Sequence, residues 1–243
     1  MNPHLKHAQI VPGLNTGRYI GIIDFSQGYT SVLDAATILA SGAPGWTKSD
    51  SDGFRQWNVD FLDWLTNSDF GIAESAAKNN HGTFAMMQKA AIAFFLGNED
   101  AVKRELLLIR SRIDKDIEPN GSQPNELNRT RSWHYSNFNL VAYLRAAAIG
   151  KKVGVDFWGY KGPQGQSLVN AVEFLIPAAT SVEAWQFPEK GFEAYAAGDV
   201  IHCAADEGNR TAETALSKLQ APPGGDLWVL RPAAEQLDPV KST

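Results

Sequence analysis

Two short stretches hold the residue types that could move protons around an anion. They are Asn79-Asn80-His81 and Glu126-Leu127-Asn128-Arg129-Thr130-Arg131-Ser132-Trp133-His134-Tyr135. Carboxamides and guanidiniums can hold a carboxylate or another anionic group, while imidazole and phenol can take and give protons. Each residue also has an ordinary structural role open to it. Asn79 or Asn80 suits the cap of a helix that starts at His81. His134 suits a partly buried site beside aromatics, and Arg131 suits a solvated surface.

Other chemistries find little support. No His-x-x-x-His or Cys-x-x-Cys spacing occurs, so no metal site is expected. The phosphate-binding loop, the dinucleotide fingerprint and the serine nucleophile elbow are absent. Glu74 and Glu126 are the carboxylates closest to the two stretches, and a hydrolase reading would have to use them.

The elements that must carry these residues read as helices. Phe54, Trp57, Phe61, Trp64 and Leu65 recur at helical spacing and predict a core face. Helices are also predicted over 30–39, 73–78, 81–96, 100–113, 136–149, 167–179 and 192–203. They are punctuated by Gly42-Ala43-Pro44-Gly45, by Gly97-Asn98, by the two-proline loop 118–124 and by Gly150. Residues 1–30 read as a loop, and about 205–243 as an irregular tail. Strand signals are scarce, so the fold class is all-α, built of antiparallel helical hairpins in a single domain over 1–243.

Composition narrows the partners. The 243 residues carry a net charge of −5 and no polybasic run, which argues against nucleic acid, and no stretch reaches the length of a membrane span. The single Cys203 allows no intrachain disulfide framework. The first residues do not read as a signal peptide. The glycosylation triplets at Asn120, Asn128 and Asn209 mildly favour secretion.

Taken together, Lys78-Asn79-Asn80-His81-Gly82, the stretch Glu126 to Leu140 and the early Asn15-Thr16-Gly17-Arg18-Tyr19-Ile20-Gly21-Ile22-Ile23-Asp24 resemble the motifs of alginate-lyase-family polysaccharide lyases. The similarity runs from about residue 2 to about residue 180. It implies an incomplete (α/α) toroid lacking an N-terminal portion, and β-elimination on a uronic-acid polysaccharide without cofactor or metal. It assigns His81, Tyr135, Arg129 and Asn80 to catalysis, and Asn79, Arg131, His134, Gln123 and Arg18 to substrate binding. The Arg129–Tyr135 spacing resembles that of a sister branch acting on glucuronan, so the expected substrate is of alginate or glucuronan type. A polymer of that size implies a secreted protein, periplasmic in a bacterium. The competing expectations are a helical-toroid hydrolase and a non-catalytic carbohydrate-binding remnant.

Overall fold

The computed structural model describes residues 23–225, and Arg18 with the early motif as far as Ile22 lies outside them. Among the described residues regular structure is helical, with one isolated bridge between Arg131 and Glu189 and no strand. The all-α reading stands. None of these helices is long and apolar enough to cross a membrane.

The described residues fall into two compact units, where the sequence reads as one domain. The first holds 23–77 and 81–106, and the second holds 78–80 and 107–225.

In the first unit, α1 (Ile23–Ala40) is followed by α2 (Lys48–Asn67), α3 (Asp69–Ser75) and α4 (Asn80–Phe95). The helix α1 begins seven residues before the predicted start at Thr30. The capping box of Thr47 and Asp50 starts α2 well before Phe54, because each side chain takes the other's backbone N–H. The aromatic stripe of α2 is core, as expected: Phe61 and Trp64 are buried, and Tyr29 from α1 meets the Phe61 ring edge-on at 5.7 Å. The Tyr29 hydroxyl donates to buried Asn58 at 2.6 Å, and burial pushes its phenol well above the ordinary range. Ser68 caps α3. Gly71 there is required by space, since a Cβ would sit 2.0 Å from the carbonyl oxygen of Leu65. A buried ion pair, Lys89 Nζ to Glu105 Oε2 at 3.1 Å, ties α4 to α5 (Glu99–Asp116).

The second unit takes the last turns of α5, then α6 (Pro124–Leu127), α7 (Ser132–Val153), α8 (Leu168–Ala179), α9 (Gly198–Asp206) and α10 (Arg210–Ala215). Its core gathers Trp133, Leu140, Tyr143, Phe157, Val172, Leu175 and Ile201. The helix α7 exceeds its predicted span at both ends. It runs through buried Gly150 and stops at Gly154, whose φ of +76° is the left-handed cap that glycine adopts without strain. Its earlier start matters more, because His134 and Tyr135 then lie in its first turn rather than in a loop.

Candidate active site

The segment Lys78-Asn79-Asn80 is held residue by residue within the second unit. Asn125 Nδ2 donates to the Lys78 carbonyl at 2.9 Å, and Arg112 Nη2 donates to the Asn79 carbonyl at 3.2 Å. Arg112 is itself fixed by Asp116 Oδ2 at 2.7 Å; burial pushes the Asp116 carboxyl up, against the pull of Arg112. Glu126, 1 % exposed, accepts from both Asn80 N and Asn80 Nδ2, the latter at 2.7 Å. One carboxylate thus opens α4 by taking its first N–H, and it also fixes which end of the Asn80 amide is nitrogen.

In the first unit, His81 Nδ1 lies 2.9 Å from Glu74 Oε1, with the Glu74 side chain 5 % exposed and the ring 15 % exposed. A carboxylate only accepts, so Nδ1 carries the hydrogen and the lone pair of the neutral ring sits on Nε2. The pair has the base-and-orienter geometry of hydrolytic triads. Asn80 and His81 are consecutive, so their Cα atoms are necessarily about 3.8 Å apart.

The second motif follows α6. Arg129 is half-buried, and its guanidinium carbon stands 3.9 Å from the centre of the Tyr135 ring, a stacked cation–π contact. Tyr135 N donates to the Arg131 carbonyl as the first helical bond of α7. His134 stacks on Phe138 at 5.7 Å and meets Tyr135 edge-on. Burial holds the His134 imidazole below its ordinary pKa, Arg131 adds to this, and Glu189 and Glu193 oppose it. Arg131 is exposed, with Nε 4.0 Å from Glu189 Oε1.

Gln123, expected as a substrate contact, is buried with both ends of its amide in use. Nε2 donates to the Ser136 carbonyl at 3.1 Å, and Oε1 accepts from Asn139 at 2.8 Å. It therefore braces the junction of α6 and α7 from inside. Asn79 is half-buried and contributes its carbonyl to Arg112.

Glu74 and Glu126 were legible only as possible hydrolytic acids; the structure sets them behind His81 and Asn80. Arg112 and Glu189 left no sequence signal, because the backbone groups they hold, at Asn79 and at Trp133 and His134, lie far away along the chain. Among the described residues no group of three His, Cys, Asp or Glu side chains is arranged to hold a metal ion.

The first unit thus presents an oriented imidazole, and the second a clamped carboxamide and a guanidinium-stacked phenol, groups able to do acid–base chemistry. The sequence pattern of the family described as Alginate lyase matches residues 1–185, and the chain belongs to that family. It is similar to the crystal structure of an alginate lyase from Bacteroides ovatus, with 28 % sequence identity and a TM-score of 0.84. That match covers 93 % of this chain but 61 % of the Bacteroides chain, so this chain spans less than two thirds of that chain's length. No curated protein matches it.

Proposed function

We propose that the protein is a polysaccharide lyase that cleaves a uronic-acid polymer of alginate or glucuronan type by β-elimination. The observation that carries this reading is that consecutive residues, Asn80 and His81, are each oriented by a buried glutamate. Each side chain is thereby held in one orientation before a substrate arrives, which acid–base chemistry needs.

The C5 proton of a uronate is poorly acidic while the adjacent carboxylate is fully charged. Arg129 would bind that carboxylate and stabilise the enolate-like charge that grows as the proton leaves. Asn80 has one Nδ2 hydrogen beyond the one given to Glu126. At 1 % exposed, it reaches the carboxylate only when the substrate seats against the start of α4. His81 takes the C5 proton through Nε2, and the Glu74 carboxylate faces the imidazolium that forms. The electron pair becomes the C4–C5 double bond, the C4–O bond breaks, and Tyr135 gives its proton to the leaving glycosidic oxygen. Where both atoms lie on one face of the sugar, Tyr135 does both jobs. Asn79, Arg131, His134 and Arg18 remain the candidate contacts for neighbouring sugars, and Gln123 a brace behind them. The reaction as written needs no metal or cofactor, and a polymeric substrate places the protein outside the cytoplasm.

Hydrolysis is the second reading, and Glu74 and Glu126 would have to supply it. Both are already hydrogen-bonded by the residues they orient, which favours elimination. The two separate in one assay on glucuronan, polymannuronate and polyguluronate. A lyase raises the ultraviolet absorbance of the unsaturated uronate, and a hydrolase releases reducing ends without it. Tyr135→Phe and His81→Ala should each lower kcat by about 10²- to 10⁴-fold. Reducing ends without absorbance, or no turnover on any polymer by folded protein, would overturn the lyase reading.

A further inference from the structure

Ser132, Trp133 and His134 begin α7 without a side-chain cap of their own, since Arg131 at the cap position offers none. The segment 185–193 supplies one from the far side of α8. The Pro188 carbonyl accepts from Ser132 N at 3.0 Å, and Glu189 Oε2 accepts from Trp133 N at 2.7 Å and from His134 N at 3.2 Å. Trp185 Nε1 donates to Ser132 Oγ at 2.8 Å, and Trp133 Nε1 donates to the Glu193 carbonyl at 2.8 Å. The Trp133 ring packs against Trp185 and Phe192. The Glu189 side chain is 5 % exposed. Its other oxygen, Oε1, has no hydrogen-bond partner among the described residues and faces the guanidinium of Arg131 at 4.0 Å. A carboxylate is a costly group to bury for a cap alone. Here it sits at the positive end of the helix dipole and beside a cation, and both offset that cost.

We propose that Glu189 is a positioning residue of the uronate site: one oxygen closes the first turn of α7 and so aims His134 and Tyr135, while the other steers Arg131. Glu189 lies beyond the stretch 1–185 that the family pattern covers. The inference rests on the lyase reading for its catalytic consequence, but not for its structural one. Tyr135 can protonate a leaving oxygen only if its hydroxyl is held within a fraction of an ångström. That hold passes through a turn whose second and third N–H groups end on Glu189.

The test is the full chain with Glu189→Ala and Glu189→Gln, read by amide hydrogen exchange over 132–138 and by steady-state kinetics well below the unfolding temperature. In Glu189→Ala the Trp133 and His134 amides should exchange at least about tenfold faster, and kcat per folded molecule should fall about tenfold or more with KM changed far less. Glu189→Gln keeps an oxygen that accepts both N–H groups. Its exchange and kcat should stay within about threefold of the parent, while KM rises a few-fold as Arg131 loses its partner. Should Glu189→Ala fail to fold, Glu189→Asp keeps the charge, shortens the reach by one methylene and is read in the same way.

Unchanged exchange in the alanine variant overturns the proposal. So does faster exchange with unchanged kcat, which makes the cap structural only. A glutamine variant as damaged as the alanine one overturns it too. If the parent protein turns over no uronate polymer, the lyase reading falls, and the exchange arm alone decides whether Glu189 holds this turn.

Discussion

Among the described residues, two kinds of helix start stand in contrast. Thr47, Ser68, Ser167 and Asn209 each cap their own helix by accepting the backbone N–H three residues on, and so start α2, α3, α8 and α10. The two helices that begin at the candidate motifs are started from elsewhere. Glu126 takes the first N–H of α4 from 46 residues away, and Glu189 takes two N–H groups of α7 from 56 and 55 residues away. A local cap depends on a three-residue spacing and forms with its helix. A remote glutamate ties the first turn to the packed chain, so its side chains acquire an aim only when the chain is folded. The candidate site residues sit at the second kind of start, where a buried carboxylate also meets the positive end of the helix dipole.

The sharpest way to break this contrast is Glu126→Ala. It removes both acceptors of a buried amide pair and leaves the Asn80 N–H groups unsatisfied. The expected cost is about 2–4 kcal/mol of stability, with kcat lower by about 10²-fold or more as Asn80 and the start of α4 lose their orientation. Denaturant midpoints and the unsaturated-uronate assay read the two effects separately. Loss of stability with kcat intact would show that Glu126 serves the fold and not the site. The matching change at a local cap is Ser167→Ala, which removes the acceptor for Asn170 N. It should cost about 1 kcal/mol and leave kcat unchanged. An activity loss there would erase the distinction between the two kinds of start.

The same distinction explains what could be read from the chain. The aromatic stripe of α2 and the glycine stop after α4 rest on periodicity and on single-residue backbone freedom, and both were legible. So was the all-helical class. The early starts of α1 and α2 were missed because the sequence around Ile23 and Thr47 lacks a strong apolar period. The first turn of α7 was missed for a different reason. Arg131 stands at the cap position with no side-chain cap of its own, because Glu189 provides the cap. The two-proline loop concealed α6, a single turn started with Pro124 at its first position. Residue types alone left His81, Asn80, Arg129 and Tyr135 with ordinary structural roles open, and the family resemblance named them as candidates. Nothing in the sequence could pair Glu74 with His81 or Arg112 with Asn79, because those pairs exist only once helices pack.

The smallest expected effect tests whether the remote cap also sets charge. Burial and Arg131 hold the folded His134 imidazole below its ordinary pKa, with Glu189 and Glu193 opposing. The unfolded chain therefore binds a proton that the folded chain resists. Stability contributed here is fully present above the unfolded value near 6.5. It is lost as pH falls from there toward the lower folded value, below which the loss levels off. His134→Gln cannot titrate, so between about pH 7.5 and about pH 5.5 its Tm should decline less than the parent's, by about 1–2 °C given the partial solvent screening of this ring. Equal declines would mean that His134 does not titrate this way. Glu189→Gln should move the parent in the opposite direction. Without the opposing carboxylate the folded imidazole resists its proton more strongly, the window extends to lower pH and the acid loss deepens. That deepening should vanish in the Glu189→Gln, His134→Gln double variant, because a charge effect of the cap on this ring requires the ring to titrate. If it persists, the acid sensitivity comes from fraying of the first turn of α7, and Glu189 acts there as a cap without setting the charge of its neighbour.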